Sequence, residues 1–192
     1  MKLVLATHNK GKIREFQKVF SEIGWEAVPV ADVSDAPDAE ETGKTFKENA
    51  LQKAHYYAKV TNLPVLSDDS GIIADVLGDR PGVYSARYAG GEGHNAEANM
   101  QKLLQNMQGV QNRKAQFRTA ICLILDGKKH LFEGIVKGEI IKEKRGSSGF
   151  GYDPIFVPEG YTKTFAELGN ETKNKISHRA LAVEKLCRFL KA

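Results

Sequence analysis

Apolar and polar positions along the chain alternate between a helical and an extended rhythm. Residues 3–6 form a short apolar run that predicts a buried strand, and the polar stretch Thr7-His8-Asn9-Lys10-Gly11-Lys12 follows it. Ile13, Phe16, Phe20 and Ile23 then recur on one helical face, with Gly24 as the stop. A strand near 26–30 leads into an acidic, proline-containing loop over 32–41 that has no apolar period. Thr45-Phe46-Lys47-Glu48 has the form of a capping box, and Phe46, Ala50, Ala54 and Tyr57 mark the face of a helix running to about residue 60.

Val65 and Leu66 predict a short strand, Ser67-Asp68-Asp69-Ser70-Gly71 a tight turn, and residues 72–77 a second apolar run. Two acids would then sit on a turn between strands. Residues 78–94 are rich in glycine and predict a loop, and a helical pattern returns over 95–107. Between 116 and 141 two strand-like runs flank Asp126-Gly127, a strong hairpin signal. A glycine-rich loop over 146–154 follows, and a helix over about 177–190 ends the pattern. Elements that alternate early and pair as hairpins late predict an α/β fold, a mixed sheet with flanking helices.

Composition narrows the class. A chain of 192 residues with 41% hydrophobic and 27% charged residues is long enough for one domain or two intimately packed lobes, and it is not a disordered composition. Twenty-eight Lys+Arg against 24 Asp+Glu leave a formal charge of +4, too small and too dispersed to indicate nucleic-acid binding. The first residues carry too short an apolar run for a signal peptide or a membrane span. Cys122 and Cys187 both read as buried thiols, and without a cysteine framework or a CxxC pair a reduced, cytoplasmic setting is expected.

Four places carry candidate chemistry. The turn from Thr7 to Lys12 hands a strand to a helix, so backbone N–H groups, the positive helix end and two lysines would converge as a phosphate site; the bland alternative is a capped surface turn. Glu40-Glu41 and Asp68-Asp69 are acidic pairs without cysteine or paired histidine, which suits a hard cation such as Mg²⁺, while an Asx-turn is the structural alternative. Adjacent strand residues point opposite ways, so one aspartate would bind metal while the other orients a lysine. Phe150, between Gly149 and Gly151, offers a ring on which a flat ligand could stack, or a core residue. Lys173, Lys175, His178 and Arg179 crowd the expected start of the last helix, where cations oppose the dipole unless an anion or acceptor is nearby. His8, His55, His94 and His130 are scattered, with no spacing that supports a zinc hydrolase or a Ser/His nucleophile.

Together the blocks Thr7-His8-Asn9-Lys10-Gly11-Lys12, Glu41-Thr42-Gly43 with Thr45-Phe46 and Glu48-Asn49-Ala50, Ser67 to Gly71, Pro81 to Arg87, Gly149 to Pro154 and Ser177-His178-Arg179 resemble the inosine triphosphate pyrophosphatase family. The resemblance runs nearly end to end and in the family's order. It implies one domain over 1–192, a long mixed sheet with flanking helices, two lobes around a central nucleotide cleft, and a homodimer. The implied reaction is hydrolysis of noncanonical purine nucleoside triphosphates such as dITP, ITP and XTP to the monophosphate and pyrophosphate. By the same resemblance Thr7, His8, Asn9, Lys10, Gly11, Lys12 and Lys53 would hold phosphates, Glu41 and Asp69 would position Mg²⁺, and Asp69 would activate water. Ser70, Phe150, Gly151, Tyr152, Asp153, Lys173, His178 and Arg179 would surround the nucleotide, with Phe150 stacking on the base. Two other readings stay open: a Maf-like pyrophosphatase for pyrimidine or modified nucleotides, and a nucleotide-binding module that activates no water.

Overall fold

The first strand, β1 (Lys2–Leu5), buries Leu3, Val4 and Leu5 completely. In the computed structural model, which describes residues 1–91 and 95–191, it pairs in parallel with β2 (Glu26–Pro29) and with β3 (Val65–Ala74). Parallel neighbours require crossovers. Helix α1 (Lys10–Ser21) supplies the first, burying Phe16 and Phe20, and α2 (Phe46–Thr61) supplies the second, burying Phe46, Ala50, Ala54 and Tyr57. Strands β4 (Lys114–Leu125) and β5 (Lys128–Ile140) are joined at Asp126 and Gly127, whose φ values of 49° and 72° match the primed turn of a two-residue hairpin. The short β6 (Phe156–Pro158) pairs antiparallel with β5, completing the sheet order β2-β1-β3-β4-β5-β6. The mixed sheet with flanking helices expected from the pattern is thus the observed fold.

The chain divides into two compact units. Unit 1 is Met1–Asp69, Ala120–Phe132 and Lys185–Ala192; unit 2 is Ser70–Thr119 and Glu133–Glu184. Unit 2 contains α3 (Ala96–Asn106), α4 (Phe165–Ile176) and the first half of α5 (His178–Lys191). Its core gathers Ile72, Met100, Leu103, Phe117, Ile140, Ile155, Phe156 and Phe165, with the rings of Phe117 and Phe156 edge to face at 4.8 Å.

Several elements differ from the pattern's forecast. Residues 67–71 are not a turn: β3 runs unbroken through them. A polar run in mid-strand is tolerated because its buried members are partnered, Ser67 by the Ala50 carbonyl at 2.5 Å and Asp68 by Lys12 at 2.8 Å. Helix α1 stops at Ser21 with Glu22 as its C-cap, and Gly24, at φ +71°, turns the chain toward β2 instead. The glycine-rich 78–94 segment includes a 3₁₀ turn, Gly82–Arg87; its end, with His94, lies outside the described residues. Helix α4 is absent from the forecast. It begins in a second capping box, Thr164 with Glu167, and breaks at Gly169 (φ 77°), which hides its period. Cys187 is half-buried rather than buried, and both cysteines are free thiols.

Candidate active site

In unit 1 four segments bring charge together. Asn9 caps α1, its side-chain oxygen accepting from the Gly11 and Lys12 N–H groups at 2.9 and 3.1 Å. The forecast of open backbone N–H groups at this turn is therefore corrected: the cap consumes two of them. Side-chain charge adds to what the turn presents. Lys12 Nζ lies 2.8 Å from the fully buried Asp68, which realises the forecast of one aspartate orienting a lysine. Thr7 closes the turn by accepting from the Asn9 N–H at 3.2 Å. Lys10 and Gly11 are exposed, and His8 pairs with Asp38 at 2.7 Å.

Asp69, one position along the strand, is half-buried and accepts from Asn49 Nδ2 at 3.0 Å. Its carboxyl is pushed up to about 6, by burial above all and also by the negative charge of Glu41, against the Asn49 hydrogen bond and the pull of Lys53 and Lys12. Glu41 is half-buried and ion-paired with Lys53, while Glu40 is exposed. Burial pulls the Lys53 ammonium down, but Glu41, Asp68 and Asp69 outweigh it and hold the group above its ordinary range. Two lysines and three carboxylates thus share one small field. The donor set fits Mg²⁺: oxygen ligands from one or two carboxylates, completed by substrate phosphates and water, are what that ion takes. Among the described residues no group of three or more His, Cys, Asp or Glu side chains is placed to hold a metal ion by itself.

Unit 2 holds the second set. Asp153 is buried, and its Oδ2 accepts from the Phe150 N–H at 2.9 Å and from Lys173 Nζ at 2.5 Å. The Lys173 ammonium lies 4.3 Å from the centre of the Phe150 ring, which is 59% exposed. Gly149 (φ +81°) permits this fold-back, since a Cβ there would strike the Asp153 carboxylate. Gly151 (φ +62°) makes the next reversal. Tyr152 points inward, its hydroxyl donating to the Ser85 carbonyl at 2.7 Å, and burial pushes its phenol well up. Asp153 and Tyr152 therefore shape the loop, and Phe150 is the member that presents itself to solvent.

Lys173 and Lys175 belong to the last turns of α4, where cations favour the dipole, so only His178 and Arg179 stand at the start of α5. The forecast of four cations opposing one helix start is corrected accordingly. The His178 ring is buried and stacks on Phe117 at 4.8 Å, nearly parallel at 9°. Arg179 is buried and donates to the Ser70 hydroxyl at 3.3 Å. The sequence reading assigned no individual role to Asn49 or to Ser85, whose hydroxyl accepts from Ile72 N–H at 2.9 Å and donates to Gly82 O at 2.6 Å. Asn49 had a visible signal: an amide set beside Ala50 on the apolar face of a capped helix.

The chain that carries this collection is similar to known proteins. Residues 3–189 match the Ham1 family. A dITP/XTP pyrophosphatase of Bacillus subtilis is 46% identical over 192 residues, covering 98% of this chain and 96% of that protein. Its counterpart from Porphyromonas gingivalis is 50% identical over 190 residues, covering 98% and 97%. Among solved structures, the Staphylococcus aureus Ham1 protein matches with a TM-score of 0.93 at 41% identity over 100% of this chain and 98% of its own. A nucleoside-triphosphatase / dITP/XTP pyrophosphatase from Mycobacterium abscessus gives 0.84 at 40% identity, covering 97% and 98%. The likeness begins in β1, ends in α5 and takes in every segment that carries the two charged clusters, so the chain belongs to the Ham1 family.

Proposed function

We propose that this protein hydrolyses noncanonical purine nucleoside triphosphates, dITP, ITP and XTP, to the nucleoside monophosphate and pyrophosphate, and so removes them from the nucleotide pool. The observation that carries the reading is that relatives 46–50% identical over nearly the whole chain are named dITP/XTP pyrophosphatases. The clusters supply chemistry that suits it. Lys12 and Lys53 offer positive charge to the triphosphate, and Glu41 and Asp69 would hold Mg²⁺. The bound ion would neutralise charge on the departing pyrophosphate. Asp69, raised toward neutrality and fixed by Asn49, takes a proton from water as its oxygen attacks the α-phosphorus in line. The new P–O bond forms as the bond to the bridging oxygen breaks, and pyrophosphate leaves with those electrons.

In unit 2 the exposed Phe150 ring gives a purine a flat face, and Lys173 stiffens it from beside Asp153. His178 and Arg179 bring donors suited to a C6 oxygen. By the family resemblance the substrate would be a free nucleotide rather than nucleic acid, and the protein a cytoplasmic homodimer. Among the described residues no helix is long and apolar enough to cross a membrane. Turnover of ITP in ¹⁸O-water tests the bond cleaved: label in the monophosphate, with pyrophosphate as coproduct, is expected. Release of labelled orthophosphate instead would overturn the reading.

A further inference from the structure

Residues 41–45 fold back along the first turns of α2, and each is gripped by that helix in reverse order. Glu48 Oε2 accepts from the Lys44 and Thr45 N–H groups at 2.7 and 3.2 Å. Asn49 Oδ1 accepts from the Gly43 N–H at 2.8 Å. Gln52 accepts from the Thr42 N–H at 3.1 Å and donates to its hydroxyl at 3.2 Å, and Lys53 pairs with Glu41. The strap lies so close that a Cβ on Gly43 would stand 2.7 Å from Asn49 Oδ1 and 2.6 Å from the Glu48 Cβ.

Asn49 differs from the other grips in what its second end does. Its side chain is fully buried, and while the oxygen holds the strap that ends in Glu41, the nitrogen donates to Asp69 on β3 at 3.0 Å. We propose that Asn49 is a positioning residue that fixes the Glu41 strap and the Asp69 carboxylate relative to each other, setting the spacing of the two acids for the cation. This rests on the reading of Glu41 and Asp69 as the acids of the hydrolytic site. Both polar ends of one amide are committed, so the side chain cannot rotate to favour one acid without releasing the other. An oriented outer partner of this kind governs metal affinity and activity by about 10- to 100-fold.

Asn49→Leu keeps the branched outline and removes both bonds, and Gln52→Ala removes the two neighbouring strap bonds to Thr42 without touching Asp69. Three readouts are taken on the full-length protein: steady-state kinetics with ITP, Mn²⁺ affinity from the free-ion EPR signal without nucleotide, and thermal midpoint. The expected result is a kcat about 10-fold or more lower in Asn49→Leu with KM for ITP little changed, and Mn²⁺ affinity weakened about 10-fold or more. Gln52→Ala should stay near wild type in both. A folded Asn49→Leu with wild-type kcat and Mn²⁺ affinity overturns the proposal, as does an equal loss in Gln52→Ala. Should Asn49→Leu fail to fold, Asn49→Ser is read by the same criteria. If wild type does not hydrolyse ITP, the hydrolytic reading fails while the Mn²⁺ titration still decides whether Asn49 sets the spacing of the acids.

Discussion

Asp68 and Asp69 are neighbours in sequence with different occupations, and the alternation of a strand separates them. Asp68 is 1% exposed and meets Lys12, whereas Asp69 is half-buried beside Asn49 and within the field of Glu41. Asp69→Asn preserves shape and can still accept from Asn49, but it cannot take a proton from water. We expect kcat to fall on the order of 10²-fold or more while nucleotide binding is partly retained; near-wild-type kcat in the folded variant would move the role to Asp68 or Glu41. The same carboxyl affects stability in metal-free protein. Because folding lifts its pKa from 3.8 to about 6, the native state holds the proton more tightly than the unfolded chain. The cost of burying its charge is then fully present above pH 6 and disappears as pH falls toward 4. In EDTA, Asp69→Asn should therefore melt above wild type at pH 7.5, and the gap should close near pH 4. A gap that widens on acidification would reverse the assigned sign.

The second capping box, Thr164 with Glu167, starts the helix whose far end delivers Lys173 to Asp153 and Phe150. Thr164→Ala should cost about 0.5–2 kcal/mol of stability, read by urea denaturation, with a weaker KM effect than Lys173→Ala. Gly149→Ala strikes harder at function, since the added Cβ collides with Asp153. Its KM for ITP should rise about 10-fold or more, and unchanged KM would show that the loop's shape is not what presents Phe150. How legible these elements were in sequence follows from local physics. The Thr45 box and the Asp126-Gly127 turn were readable because a few adjacent residues determine them. The continuity of β3 was not, because Ser-Asp-Asp-Ser is turn chemistry until distant Lys12, Asn49 and Ala50 supply partners. Helix α4 was missed although Thr164-x-x-Glu167 repeats the Thr45 pattern, since Gly169 interrupts the apolar period just after it. The site motifs were legible as residues, but their division of labour was not. Only the fold shows that Asn9 spends itself on its own helix, and that Tyr152 and Asp153 turn inward.

At the scale of the whole molecule, unit 1 concentrates lysines and carboxylates, whereas unit 2 concentrates an exposed ring and the donors of α5. The proposed substrate has a polyanionic end and a planar end. A hard cation shared between protein and triphosphate implies that excess EDTA abolishes turnover and that Mg²⁺ restores it; turnover surviving verified removal of the metal would defeat the assignment of Glu41 and Asp69 as ligands. Base choice follows from the other end. Inosine and xanthine carry a C6 oxygen that accepts, whereas adenine carries an amino group that donates, and in the proposed site N–H donors at His178 and Arg179 would satisfy the first and oppose the second. A site built around such a bond rejects the wrong partner by on the order of 10⁴-fold. The most direct measurement is kcat/KM for pyrophosphate release from ITP, XTP, ATP, dTTP and UTP under one Mg²⁺ concentration. Efficient release from ITP and XTP with ATP, dTTP and UTP all poor is the predicted result. Comparable values for ITP and ATP, a preference for the pyrimidines, or binding without release would contradict it.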